Sequence, residues 1–157
     1  MPDRHKALMR QAFQMCVAAD PEGLGRANAA FAGFAEAHAI PAGARRAVGV
    51  ALDELLANEM SHGAAGRDSG SVTLEVELDE ERITVTLTSD GSRFDPFQRA
   101  APDTTLPVEE RPVGGLGLHL VRKLMDEVRY ERRNRQNVVV LVKLLAADGQ
   151  DDQAEAG

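Results

Sequence analysis

The chain has no tryptophan, one tyrosine, five phenylalanines and one cysteine in 157 residues. The single cysteine, Cys16, excludes an internal disulfide, and with four scattered histidines it excludes a clustered Cys/His zinc pattern. Cys16 is expected to be plain strand packing. No apolar run approaches the roughly 20 residues of a membrane span, and the opening stretch MPDRHKALMRQ lacks a signal-peptide hydrophobic region. A cytoplasmic location is therefore expected. Basic charge is also scarce: 18 Lys and Arg stand against 25 Asp and Glu, for a formal charge of -7. A general nucleic-acid binder needs a concentrated basic face. Arg129, Arg132, Arg133 and Arg135 do cluster, but only Tyr130 is interleaved, and the run reads as a solvated turn between two strands.

With 43% hydrophobic and 27% charged residues, what is present fits one globular domain with a real core. Residues 12–145 form the expected domain, behind an N-terminal extension of residues 1–11. Residues 146–157, AADGQDDQAEAG, are acidic and small, a composition expected to be disordered.

FQMCVA reads as a first strand, and Asp20 and Pro21 form a good helix start. Leu24, Ala27, Phe31, Phe34 and Ala35 then recur at helical spacing, predicting a helix to about Ala39. Val48, Leu52, Leu55, Leu56 and Met60 mark a second helix from Ala44 to His62. Clean alternation follows: Val72, Leu74, Val76 and Leu78, then Ile83, Val85 and Leu87, predict a half-covered antiparallel hairpin turned at DEER. A long loop rich in Pro and Asp precedes a helix from Leu116 to Asp126. EVRYERR, a turn at NRQN and the buried run VVVLVKLL complete the chain. This order of elements predicts an α+β two-layer sandwich.

Three stretches carry chemistry. Glu54, Asn58 and His62 are spaced four apart and share one face of the second helix. A carboxamide oxygen suits Mg²⁺, a carboxylate can accept a proton, and a plain solvent-facing stripe fits as well. His62 complements the dipole at the helix end. The second stretch is SDGSRFDP after a strand, which alone is ordinary hairpin chemistry. The third is RPVGGLGLHLVRKLMDEV. It is no Walker A motif, for want of Gly-Lys-Ser/Thr, and no dinucleotide fingerprint, because no strand precedes it. Glycines before a helix can expose N–H groups to an anion or simply close a turn.

Taken in order, LDELLANEMSHG, DGSRFDP and EERPVGGLGLHLVRKLMDEVRYERR resemble the Bergerat-fold (GHKL) ATP-binding domains shared by gyrase, histidine kinases and MutL. Within that superfamily the chain is similar to the anti-sigma factor serine kinases of bacterial partner switching. The resemblance implies a mixed, mainly antiparallel sheet covered on one face by helices. It implies ATP and Mg²⁺ as cofactors, Glu54 as general base and Asn58 as the Mg²⁺ ligand. It places the adenine near Gly91 and gives backbone contacts to phosphate from Gly115, Gly117, Leu118 and His119. The loop from Phe97 to Val113 becomes the lid. The implied partners are a sigma factor or similar client and an anti-anti-sigma antagonist, with a homodimer in keeping with the family. One departure stands out, because Ser89 occupies the position where such proteins place the aspartate that reads the adenine amino group. Strand parity puts Ser89 on the covered face with Val85 and Leu87, and Asp90 with the threonines. Either Ser89 faces the base, or Asp90 reads it through a shifted turn. The rival reading is a switch module that binds a partner, holds ATP weakly or not at all, and transfers nothing.

Overall fold

In a computed structural model, residues 10–60, 70–90, 95–98 and 115–145 are described. Strand β1 (Gln11–Ala18) turns Phe13, Met15 and Val17 toward the helices and leaves Gln14, Cys16 and Ala18 exposed. Cys16 therefore lies on the strand but on its uncovered, exposed face, outside the core. Its parity with Gln14, rather than with Val17, is the reason.

Asp20, two residues past the strand and still extended, caps helix α1 (Pro21–Ala37), its Oδ1 accepting from the Gly23 N–H at 2.7 Å. Gly23 must be glycine, because a Cβ there would overlap the Ala18 carbonyl oxygen. The helix stops two residues short of the expected Ala39, and the stop is chemical. Ala39 takes the left-handed conformation (φ 51°), and the Ile40 N–H donates to Ala35 O at 3.0 Å, closing a Schellman turn with Ile40 buried. Arg45 Nη2 donates to the same carbonyl at 3.2 Å.

Helix α2 (Ala42–Asn58) starts two residues before the expected Ala44 and buries Ala44, Ala47, Val48, Ala51, Leu52, Leu55 and Leu56. Residues 59–60 continue it as a wider π turn, and His62 lies outside the described residues. Strands β2 (Ser71–Leu78) and β3 (Arg82–Asp90) form the hairpin that the alternation predicts, with Val76 opposite Val85. Asp79 fixes its turn, Oδ1 accepting from the N–H of Glu81 at 2.7 Å and of Arg82 at 2.9 Å.

Helix α3 (Gly115–Leu124) buries Leu118 and Val121, followed by Met125. Strands β4 (Glu127–Arg133) and β5 (Gln136–Leu144) are joined by Asn134 and Arg135, both with positive φ, as a tight two-residue hairpin turn requires. The turn is thus shorter than NRQN, and Gln136 and Asn137 join β5. The arginine run is likewise mostly strand: Arg129 and Arg133 pair along β4 with Glu127 and Glu131, and only Arg135 sits in the turn.

The five strands order as β1-β2-β3-β5-β4, and every pairing is antiparallel. One face is covered by the helices. β5 is buried on both sides, Val139 and Leu141 toward the helices and Val138 and Val142 away from them, as an uninterrupted apolar run should be. No helix among the described residues is long and apolar enough to cross a membrane.

Candidate functional site

The second half of α2 lies over the end of the sheet where β3 finishes and β5 begins. Leu55 and Leu56 are buried there, while Glu54 and Asn58 are half-buried, so the polar stripe skirts the core instead of facing open water. Between helix and sheet is a narrow cleft of about 30 Å³. Leu56, Val72, Leu87 and Val139 make its walls apolar. Asn58, Ser89 and Asn137 bring polar groups to it. A small, mostly apolar cleft with a few convergent polar groups is the usual form of a small-molecule site.

Ser89 is 6% exposed and stands directly opposite Asn137, which is 5% exposed. The Asn137 carboxamide oxygen accepts from the Tyr130 hydroxyl at 2.6 Å and from Arg132 Nη1 at 3.2 Å, which fixes the orientation of the amide. Sequence reasoning missed Asn137 because NRQN has turn composition. Its in-register position with Val139 and Leu141 on a run of valines was the available signal.

Asp90 goes the other way. Its side chain is exposed on the outer face and accepts from Gln136 Nε2 at 3.0 Å. β3 stays regular through Asp90, so no shifted turn brings this carboxylate to the cleft. Gly91 lies outside the described residues.

Glu54 meets the other candidate stretch. A Cβ built on Gly117 would overlap Oε2 and Cδ of Glu54 and lie 3.1 Å from Oε1, so the carboxylate rests against the first turn of α3. Gly115 opens that turn, Leu118 sends its side chain into the core, and His119 is half-buried. The first N–H groups of a helix have no partner within it and favour anions.

Of the expected lid, Phe97 and Gln98 are described and residues 99–113 are not. Phe97 is not part of a loose loop. It is buried in a short 3₁₀ turn (Pro96–Gln98), its N–H donates to Asp95 Oδ1 at 2.9 Å, and its carbonyl accepts from Arg122, whose guanidinium lies 5.5 Å from the ring centroid. Phe97 anchors the segment to α3, and any lid starts after it.

Among the described residues no group of three His, Cys, Asp or Glu side chains gathers to hold a metal.

A helix-borne Glu/Asn stripe over an antiparallel sheet, with its glutamate against a glycine-bearing helix start and its asparagine at a cleft, defines a class. Residues 17–143 match the histidine kinase-like ATPase domain, and the chain belongs to that family. Its relatives narrow the class. The chain is 28% identical over 127 residues to the serine-protein kinase RsbW of Listeria monocytogenes serotype 4a, covering 78% of this chain and 81% of that protein. It is 28% identical over 134 residues to RsbW of Bacillus subtilis, covering 82% of each. With the serine/threonine-protein kinase BtrW of Bordetella bronchiseptica it shares 27% over 89 residues, 57% of this chain and 63% of that one. In fold it is similar to the RsbU and RsbW domains of Rv1364c from Mycobacterium tuberculosis, with a TM-score of 0.61 at 14% identity, over 85% of this chain and 32% of that one.

Proposed function

We propose that this chain is an ATP-binding regulator of the anti-sigma type, which holds a sigma factor or similar client and phosphorylates a serine on an anti-anti-sigma antagonist. The observation that carries this reading is the meeting of α2 and α3. Glu54 reaches the first turn of α3 at Gly117, while Asn58, one helical turn further along α2, borders the cleft that holds Ser89.

The residues fit a Mg²⁺-nucleotide. Apolar walls suit the faces of a purine, and Ser89 and Asn137 supply hydrogen-bonding groups at its edge. Asn58 would hold Mg²⁺ through its carboxamide oxygen, and Mg²⁺ when bound offsets charge on the phosphates. One protein oxygen is enough, since such ions keep several waters and take the rest of their shell from phosphate. Glu54 removes the proton from the antagonist's serine hydroxyl as that oxygen bonds to the γ-phosphorus of ATP. The bond from phosphorus to the bridging oxygen breaks, and ADP leaves. The N–H groups of the α3 start, Gly115 and Gly117 among them, face the negative charge of the transferring group.

One observation favours a second reading, that of a binding module which transfers nothing. Ser89 gives the cleft a neutral acceptor where a carboxylate would bind the adenine amino group more strongly. A single experiment separates the two: the purified chain is incubated with Mg²⁺-ATP and an antagonist protein from the same genome, and phosphoserine is sought by mass spectrometry. Phosphoserine on the antagonist establishes the kinase. A stable complex with the antagonist and no phosphoserine establishes the module.

A further inference from the structure

Glycine inside a helix costs about 1 kcal/mol relative to alanine, so each one invites a reason. Gly25 and Gly33 of α1 and Gly49 of α2 have open space where a Cβ would go. Gly23 is held to glycine by the Ala18 backbone. Gly117 differs from all four, because what fills its side-chain space is the Glu54 carboxylate. Its backbone needs no left-handed conformation, so the glycine is there for room.

We propose that Gly117 is the positioning residue for Glu54: the missing side chain at 117 is the socket in which the carboxylate rests. Three features make the socket specific. α3 packs on the core through Leu118 and Val121, and α2 through Leu52, Leu55 and Leu56, so the core sets both walls of the socket. The first turn of α3 carries no acidic residue of its own, so Glu54 is the negative charge that complements its positive end. The carboxylate is also the mobile end of a long side chain, so a methyl at 117 displaces Glu54 and leaves both helices in place. Alanine at 117 keeps the backbone N–H that faces phosphate and favours the helix. Its effect therefore falls on the position of the carboxylate.

This inference rests on the reading of Glu54 as general base, and its test has one arm on activity and one independent of it. In the full chain, Gly117→Ala, Glu54→Asp and the double variant are compared for phosphoserine formation. Gly117→Ala is expected to lower kcat by about 10²-fold, the scale of a misplacement near 1 Å, with KM for ATP unchanged. Glu54→Asp, one methylene shorter, has room beside alanine, so the double variant is expected to be no worse than Gly117→Ala alone. Multiplying losses in the double variant, or a rise in KM with kcat intact, overturns the proposal. In the second arm, the amide resonances of Gly117, Gly25, Gly33 and Gly49 are compared between the parent and Glu54→Gln. A shift confined to Gly117 supports the socket, and an unmoved Gly117 resonance overturns it. If the parent transfers no phosphate yet the Gly117 resonance responds to Glu54→Gln, the kinase reading falls and the contact stands.

Discussion

The two faces of the sheet carry polar residues at very different cost. On the outer face Thr84, Thr86, Thr88 and Asp90 alternate along β3, and the Arg129–Glu127 and Arg133–Glu131 pairs run along β4. These groups keep much of their water, and exposed ion pairs of this kind contribute about 0–1 kcal/mol. On the covered face the same β3 ends in Ser89, opposite Asn137, and these are the buried polar side chains among the described residues. A buried polar group left without a partner costs about 1–3 kcal/mol. A hydroxyl on the outer face therefore says little, whereas Ser89 and Asn137 mark a place where polar groups are kept in the covered layer, the Asn137 amide avoiding that cost by bonding Tyr130 and Arg132. That place is the cleft beside Glu54 and Asn58.

Substitutions on each face should differ widely in effect. Glu54→Gln keeps the shape of the side chain and removes its basicity, so phosphotransfer should fall by about 10²–10⁴-fold with ATP still bound. Turnover equal to the parent would make Glu54 structural. Leu52→Ala opens a cavity in a fully buried part of α2, and a loss of about 2–5 kcal/mol is expected. In urea denaturation the midpoint should drop at constant slope, and an unchanged midpoint would mean that α2 does not pack as described. The smallest effect belongs to the outer face, where Cys16→Ser should change stability by less than about 0.5 kcal/mol. In the parent, a thiol reagent should modify Cys16 without denaturant, and protection of that thiol would show that the outer face is covered.

Much of this was legible because burial on one side writes itself into a strand with period two. The β2–β3 hairpin, and the assignment of Ser89 inward and Asp90 outward, follow from that parity alone. The same rule, applied to Gln14, Cys16 and Ala18, places Cys16 outside, whereas the apolar run FQMCVA by itself suggests packing. What composition could not give were contacts between distant segments and the details of chain ends. Ala39 ends α1 in a conformation glycine usually takes, so no glycine announced the stop. Phe97 stood in a proline-rich stretch, and only the fold shows that Arg122 and the core hold it. The glycines of the third stretch suggested phosphate, but the side chain that occupies Gly117's space comes from another helix and leaves no local trace.

The covered face is expected to read the nucleotide, and the outer face is not. Calorimetry of the parent, Ser89→Asp and Asp90→Ala with Mg²⁺-ATP and Mg²⁺-GTP tests it most directly. Charged hydrogen bonds contribute about 1.5–3 kcal/mol against about 1 for neutral ones, so Ser89→Asp should tighten ATP by on the order of tenfold. It should also raise the preference for ATP over GTP, since a carboxylate accepts from the adenine amino group and repels the guanine carbonyl. Asp90→Ala, on the outer face, should bind both nucleotides as the parent does. Loss of ATP binding in Asp90→Ala would put the outer face in the site, and no change in affinity and preference in Ser89→Asp would remove Ser89 from the adenine.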